Sequence, residues 1–513
     1  MAALGTSATA ACPVPQPGTV IRFFLNGQEW LLENPDPTLL LLDWLRSPAV
    51  GLTGSKKGCG QGGCGLCTVM LSRWDRQMDA VRHEAINACL RPVCSLDGVA
   101  ITTIEGVGSV ETALNPVQYS IAKENGSQCG YCTPGWTMAM TAFLAAHGDT
   151  KPTQLAIERM FDGNLCRCTG YRPILYAMRH FASDWTPADE AGCMTCLADP
   201  HVPHTDAVDA PIPPEDPYQL PLRIVRDGHT WYRPTDLGDL FTLLQTLPAD
   251  DLKLVNGNTS IGIYDRYEED PHHLVDISKL FLLKNRAVDS DNYSLGGGVS
   301  YGELLDFLDQ KVAEGVTDEG TLALRYMAQR TAGTIVRNAA SLAGNTMLVV
   351  RHVRHGVPFP SDMFTILTAL NAVVVVGDSF PDSNWRFMPI LDFARDWQTD
   401  DAMKRMVIIG YDVPRSVARE YVRPYKVALR EVNAHSIVNA GCRVRFDDQG
   451  LVTDAAIVLG GIGPIAFHAT AAEAALKGRR WETATLQAAL SGLRDDVDAA
   501  LDQWKDRRAS LPD

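Results

Sequence analysis

The sequence predicts an α+β protein of several domains, and three observations lead there. At 513 residues, a prior of about 150 residues per domain gives roughly three or four of them. All but one of the 13 cysteines lie before residue 197, so a cysteine-dependent chemistry belongs to the first third of the chain. The hydrophobic pattern also changes along the sequence, from a strand-rich opening to a helical stretch and then to segments of both kinds.

Residues 1–18 read as a disordered leader. Residues 19–100 read as a small α+β unit. It opens with a strand at Val20–Leu25 and an Asn26-Gly27 hairpin turn, the dipeptide that tolerates the left-handed backbone of a tight hairpin. Thr38–Arg46 reads as a short helix stopped by Pro48, and Cys67–Leu71 as a strand. Residues 101–183 carry four helical patterns, at Pro116–Lys123, Thr133–Ala146, Pro152–Met160 and Pro173–Phe181. Residues 184–221 repeat proline among Asp and Ala without periodicity and read as a linker. Residues 222–416 form a mixed unit, with strands expected at Lys253–Val255, Val373–Val376 and Met406–Tyr411. Residues 417–513 form a last α+β unit, with strands at Ala440–Phe446 and Ala455–Leu459 and helices at Ala469–Leu476 and Thr483–Leu493.

Composition narrows the function. The formal charge of −15 is a poor match for nucleic acid or an anionic membrane surface. No apolar run approaches the roughly 18 residues a membrane span needs, and no targeting signal opens the chain, so the cytoplasm is the expected compartment. Cysteines used this way in such a compartment point to metal or catalysis rather than disulfides.

The first cysteine set is Cys59, Cys64 and Cys67, followed by Cys89. This C-x4-C-x2-C…C spacing is that of a plant-type [2Fe-2S] cluster. Three thiolates must come from one tight loop, and the segment from Gly58 to Cys67 holds five glycines. Glycine lets backbone N–H groups turn toward the sulfurs. The second set pairs Cys129 with Cys132 and Cys166 with Cys168, each pair preceding a helix that opens with proline. Helix N-termini suit thiolates. By itself this set fits structural zinc as well as a cluster. Beside a plant-type loop, a second [2Fe-2S] cluster is the expected occupant. Cys94 belongs to neither set and reads as a small buried hydrophobe. Cys193 and Cys196, with His201 and His204, have zinc-like spacing but read as part of the mobile linker.

In the second half, a strand runs into Gly257-Asn258-Thr259-Ser260, a turn whose N–H groups could cradle a pyrophosphate or simply reverse the chain. Ala332–Asn345 is a second small-residue segment that a ligand could approach closely.

Residues 19–183 resemble the N-terminal region of the xanthine dehydrogenase and aldehyde oxidase family, the molybdenum hydroxylases. The carrying segments are Gly58–Met70, Ala88–Gly106, Gln128–Gly135 and Gly163–Leu175. The resemblance implies a plant-type ferredoxin-like β-grasp domain, then a four-helix [2Fe-2S] domain, with Gln128 and Cys168 near the pterin of a molybdenum cofactor carried on a partner chain. Gln61 and Leu66 replace residues that are often Glu and Ala in the family. The later segments resemble the family's FAD-binding domain, of the vanillyl-alcohol-oxidase type. By that resemblance Leu254, Val255, Asn256, Gly257, Asn258, Thr259, Ser260 and Ile261 wrap the FAD pyrophosphate and adenosine side. Ser341, Leu342, Ala343, Gly344 and Asn345 form the second wall, Asp362 follows, and Ile408 and Lys426 complete the site. Thr331 stands where some relatives place Phe against the isoalloxazine. Thr346–Ser361, rich in Arg and His, is expected as a long inserted loop, either solvated or binding an anionic acceptor or a partner.

No segment resembles a molybdopterin-binding domain. The resemblance therefore implies an iron–sulfur and FAD small subunit of a bacterial two-chain xanthine dehydrogenase, with substrate hydroxylation on a molybdopterin-binding large subunit. No acid or base is expected on this chain. Electrons would pass from the second cysteine set to the first, to FAD, and on to NAD, oxygen or a quinone. The same role in an aldehyde or N-heterocycle dehydrogenase, or as a stand-alone flavin-linked ferredoxin, is the competing expectation.

Overall fold

The computed structural model describes residues 17–186, 189, 220–261, 270–354 and 357–509. Most of the expected leader and linker, including Cys193, Cys196, His201 and His204, lies outside the described residues. Where leader and linker end they meet: Gly18 pairs with Leu222 in a parallel bridge, so residue 18 belongs to the folded chain.

The first unit is built on β1 (Val20–Leu25) and β2 (Gln28–Glu33), joined at Asn26 and Gly27, whose φ values are 50° and 77°. This is the tight turn that the Asn-Gly pair predicts. After α1 (Leu41–Leu45) come β3 (Thr68–Asp75), β4 (Ala80–Asn87) and β5 (Ala100–Thr102). The sheet runs β2-β1-β5-β3-β4, with β1 and β5 parallel, a β-grasp arrangement. The helix begins at Leu41 rather than Thr38. Asp36 accepts the Thr38 N–H at 2.8 Å, so a turn occupies the residues where the helix was expected to start.

The second unit has four helices, α2 (Pro116–Lys123), α3 (Thr133–His147), α4 (Gln154–Met160) and α5 (Arg172–Arg179). Asn115 and Gln118 form a capping box at α2, and Thr153 caps α4. Trp136, Ile157, Ile174 and Ala177 pack between them.

The third unit holds two sheets. β6 (Leu222–Arg226), β7 (His229–Arg233), α6 (Leu237–Thr246), β8 (Leu252–Val255) and β9 (His273–Asp276) give the order β6-β7-β9-β8. The second sheet starts with β10 (Arg286–Val288) and β11 (Asn292–Gly296). Helices α7 (Tyr301–Ala313), α8 (Glu319–Arg330), α9 (Thr334–Arg337), α10 (Leu342–Arg354) and α11 (Asp362–Ala369) follow. Then come β12 (Val373–Gly377), β13 (Arg386–Pro389), α12 (Ile390–Asp396) and β14 (Val407–Pro414), in sheet order β10-β11-β14-β12-β13. The last unit is the antiparallel sheet of β15 (Glu420–Val427), β16 (Val438–Phe446), β17 (Val452–Gly460) and β18 (Phe467–His468), covered by α13 (Thr470–Leu476) and α14 (Thr483–Ala509).

One expectation is overturned here. Thr346–Arg354 is not a loop but most of α10. Leu342, Thr346, Val349, Val350 and Val353 recur at helical spacing and are buried together with His352, so one face seats the helix while Arg351 and Arg354 stand outside it.

The first and third units share a core and a buried ionic network. Leu222, Ile224, Trp231 and Val255 join the apolar cluster of Ile21, Phe23 and Leu42. Arg73 reaches Glu84 at 3.0 Å and Glu303 of α7 at 2.7 Å. Arg82 reaches Glu84 at 2.7 Å, and Lys284 reaches Glu303 at 3.3 Å. Burial raises the Glu303 carboxyl, but Lys284, Arg73 and Arg82 outweigh it and hold the group below the ordinary carboxylate range. Removing one member leaves buried charge uncompensated, at about 3–5 kcal/mol. Glu303→Gln is therefore expected to destabilise the chain by roughly that amount in denaturant unfolding. A depressed folded value means that the Glu303 contribution is complete above the unfolded value near 4.5 and is lost as pH falls from there. Melting followed against pH should show a shallower acid decline in Glu303→Gln than in the native chain.

Candidate functional site

The first cysteine loop lies between α1 and β3. Gly60, Gly62 and Gly65 take φ values of 67°, 83° and 67°, which a side chain would oppose. The loop turns its N–H groups inward: Cys59 N donates to Cys64 Sγ at 3.4 Å and Gln61 N to Cys59 Sγ at 3.3 Å. Cys89 follows β4 and comes back to the loop. The Cys64 thiol donates to Cys59, holding Cys59 down to about 5 and raising Cys64. Cys89 likewise donates to Cys67, lowering Cys67 and raising Cys89. The four sulfurs are thus gathered as two pairs. Nothing lies within 4 Å of where a Cβ would stand on Gly60 or Gly63, which leaves room beside them.

The second set sits at the starts of α3 and α5. A backbone hydrogen bond from Tyr131 and one from the Cys168 thiol lower Cys129. Cys132 is raised to about 12 by burial and by sharing its proton with Cys166. Thr169 Oγ1 stands 3.0 Å from Cys166 Sγ. The pairing is again two and two. Among the described residues no group of three or more His, Cys, Asp or Glu side chains could hold a single metal ion. A two-iron cluster on four thiolates takes two at each iron, and both sets fit that donor arrangement. Cys94 is fully buried in the core, its thiol directed at the Asp36 carbonyl.

The two loops touch. Leu165 N donates to the Cys64 carbonyl at 2.9 Å, and Asn164 Nδ2 donates to the Gly65 carbonyl at 2.9 Å. A Cβ on Gly135 would stand 2.3 Å from that same carbonyl, so helix α3 and the first loop approach to a distance only glycine permits.

A segment of the third unit, Thr331–Asn338, joins both loops to a cavity of 340 Å³. Arg337 pairs with buried Asp162 at 2.6 Å and donates to the carbonyls of Gln329 and Ala332, each at 3.0 Å. Thr334 N donates to the other Asp162 oxygen at 2.7 Å. Asn338 Nδ2 donates to the Ala85 carbonyl at 2.9 Å, and Asn433 Nδ2 to the Gly63 carbonyl at 3.0 Å.

The cavity is lined by Leu254, Val255, Asn256, Gly257, Asn258, Thr259 and Ser260 from one side and by Thr331, Ser341, Ala343, Gly344, Asn345, Asp362 and Ile408 from others. Three expected residues are not in its lining. Ile261 packs against the first unit's core, and Leu342 is buried in the core beneath α10. Lys426 stands behind the wall, paired with Asp362 at 2.9 Å and donating to the Arg330 and Ala434 carbonyls. Sequence reasoning missed Tyr301, Trp397 and His435, which do line it, and placed Arg351 and Arg354, which also line it, in a loop that was either solvated or bound an anionic acceptor or a partner. The helical spacing of the small and basic residues along α10 was the available signal for the arginines.

The lining fits a dinucleotide such as FAD. Asn256 Oδ1 and Tyr301 Oη are buried without a hydrogen-bond partner, and such groups ordinarily find one. A Cβ on Gly257 would stand 1.8 Å from the Ala339 carbonyl, so the strand turn and the second wall meet there only because the residue is glycine.

Comparison with known proteins follows the same division. Residues 23–94 match a 2Fe-2S iron-sulfur cluster binding domain and residues 103–179 a [2Fe-2S] binding domain. Residues 225–416 match the FAD binding domain in molybdopterin dehydrogenase, and 423–508 the CO dehydrogenase flavoprotein C-terminal domain. The chain is 34% identical to aldehyde oxidase 2 of Cavia porcellus over 93% of its own length and 37% of that protein. It is 33% identical to xanthine dehydrogenase 2 of Arabidopsis thaliana, over 92% and 37% respectively. It thus spans 37% of these relatives. A carbon monoxide dehydrogenase structure from Hydrogenophaga pseudoflava aligns over 54% of the chain and 94% of its own, at 20% identity and a TM-score of 0.43. The domains define an iron–sulfur flavoprotein. The chain belongs to the xanthine dehydrogenase and aldehyde oxidase family of molybdenum hydroxylases, and it carries two [2Fe-2S]-binding domains and an FAD-binding domain.

Gly257→Ala is expected to fold its iron–sulfur domains but to purify with most of its flavin missing. The ratio of flavin to protein absorbance measures this, and full flavin content would contradict the cavity assignment.

Proposed function

We propose that this chain is the electron-transfer subunit of a molybdenum hydroxylase of the xanthine dehydrogenase type, acting in the cytoplasm. Cys59, Cys64, Cys67 and Cys89 hold one [2Fe-2S] cluster, and Cys129, Cys132, Cys166 and Cys168 hold the other. The cavity residues Leu254 to Ser260, Ser341, and Ala343 to Asn345 hold FAD. When bound, the clusters carry electrons singly and the flavin collects them in pairs for NAD or another acceptor.

The observation that carries this reading is the direct hydrogen-bonded series from the second loop to the first and from both to the flavin wall. Leu165 bonds Cys64, Asn433 bonds Gly63, and Arg337 bonds Asp162. The chain's part is to fix these distances, to shield Cys64, Cys67, Cys89 and Cys166 from water, and to point N–H groups at the sulfurs. Cys129 and Cys168 are exposed, and Tyr131, Leu165 and Tyr171 expose apolar surface beside them. That face suits a molybdopterin-binding large subunit. Among the described residues no helix is long and apolar enough to cross a membrane. Aldehyde oxidases are as similar in sequence as xanthine dehydrogenases, which supports an aldehyde as the second candidate substrate class for the assembly.

Electron paramagnetic resonance of the reduced chain should resolve two distinct [2Fe-2S] signals, and Cys166→Ser should abolish one and leave the other. A single signal, or loss of both, would sink the two-site assignment. Native purification should bring down a molybdenum-containing chain, and its persistent absence would favour a stand-alone flavin-linked ferredoxin.

A further inference from the structure

Asn87 closes β4, opposite Thr68 in register, and is 4% exposed. Its Nδ2 donates to Cys67 Sγ at 3.7 Å. Its Oδ1 is buried with no hydrogen-bond partner. An unsatisfied buried carbonyl costs about 1–3 kcal/mol, and an apolar side chain of the same shape would avoid that loss. Stability of the fold therefore does not explain an amide here. Sulfur ligands of a cluster offer only acceptors, and the N–H half of the amide is the half that can face them.

The position has direction as well as chemistry. On Gly62, a Cβ would stand 3.4 Å from Asn87 Oδ1 and 3.1 Å from Val336 Cγ2, and Val336 lines the flavin cavity. Asn87 is thus on the side of the first loop that faces the flavin. Main-chain N–H groups of Gln61 and Cys59 donate to Cys59 Sγ and Cys64 Sγ, and a change of side chain cannot remove them. Asn87 is a side-chain donor to this set, and therefore one that substitution can remove. Adding an electron makes a cluster more negative, and a fixed N–H stabilises the reduced form over the oxidised one.

We propose that Asn87 sets the reduction potential of the first cluster through its N–H···S bond to Cys67, and so tunes the electron step from that cluster to the flavin. The proposal rests on the assignment of Cys59, Cys64, Cys67 and Cys89 to that cluster. Asn87 acts through Cys67 and is a positioning residue.

The test is a redox titration of the flavin-containing holoprotein monitored by electron paramagnetic resonance. Asn87→Leu should move the midpoint of the first signal negative by about 59 mV, roughly tenfold in the one-electron equilibrium. Asn87→Asp should move it further, since a carboxylate neither donates nor tolerates added negative charge. The second signal, identified by its loss in Cys166→Ser, should keep its midpoint in both variants. Midpoints unchanged in both would overturn the proposal while leaving the cluster assignment standing. Loss of the first cluster from both variants would also overturn it, by making Asn87 a structural residue. A native protein without the first signal would overturn the assignment itself, and the proposal with it.

Discussion

The buried pair between Arg337 and Asp162 is the contact on which the arrangement of the three cofactor sites depends. Its side chains are 7% and 4% exposed; the guanidinium Nη1 shares its hydrogens among the carbonyls of Gln329, Thr331 and Ala332, and Nη2 also donates to Thr334 Oγ1. Two of those carbonyls belong to residues that line the cavity. Asp162 leads directly into Gly163, Asn164 and Leu165, and then to Cys166. One ion pair therefore locks the flavin wall to the second cysteine loop, and Leu165 locks that loop to Cys64. Such a pair need not add net stability over an apolar contact, but its geometry is specific and its loss on one side is severe. For a chain that moves electrons, that specificity is the useful property, because transfer rates fall steeply with distance.

The ionic network of Arg73, Arg82, Glu84, Lys284 and Glu303 serves the same end at the other interface. Two arginines arise from the ferredoxin-like hairpin of β3 and β4, and the lysine and the second glutamate from the flavin unit. The apolar cluster shared by Ile21, Phe23, Leu222 and Trp231 supplies the non-directional attraction. The charges fix the register in which those surfaces meet. Both cluster domains and the cavity therefore behave as one packed body rather than modules on a tether.

Much of the site was legible because its chemistry is local in sequence. The C-x4-C-x2-C loop, the glycines that turn its N–H groups inward and the Asn26-Gly27 hairpin are each fixed by residues a few positions apart. The placing of Cys129 and Cys132 before one helix and of Cys166 and Cys168 before another is local too, marked by proline, whereas the pairs they form, Cys129 with Cys168 and Cys132 with Cys166, run between the two loops. What stayed hidden is long-range. Asp162 and Arg337 are separated by 175 positions, and nothing near either residue announces the other. Asn87 reads as the last residue of a strand until Cys67 is placed beside it. The helix α10 was obscured differently: its Arg and His residues look like an insertion, and the buried stripe of Leu342, Thr346, Val349 and Val353 shows only once a core exists to receive it. Lys426 shows the reverse limit, since the residue belongs to the site's architecture through Asp362 without reaching the cavity.

The most direct test of the account is to load electrons at one end and ask whether they travel. Purified chain with its flavin and clusters would be mixed rapidly with a two-electron donor to the flavin, frozen at successive times and examined by electron paramagnetic resonance. A continuous, fixed series of sites requires the first cluster and then the second to become reduced as the flavin signal develops, in Asp162→Asn more slowly at the second. A flavin that is reduced while both clusters remain oxidised, although each is present and reducible by dithionite, would contradict the account.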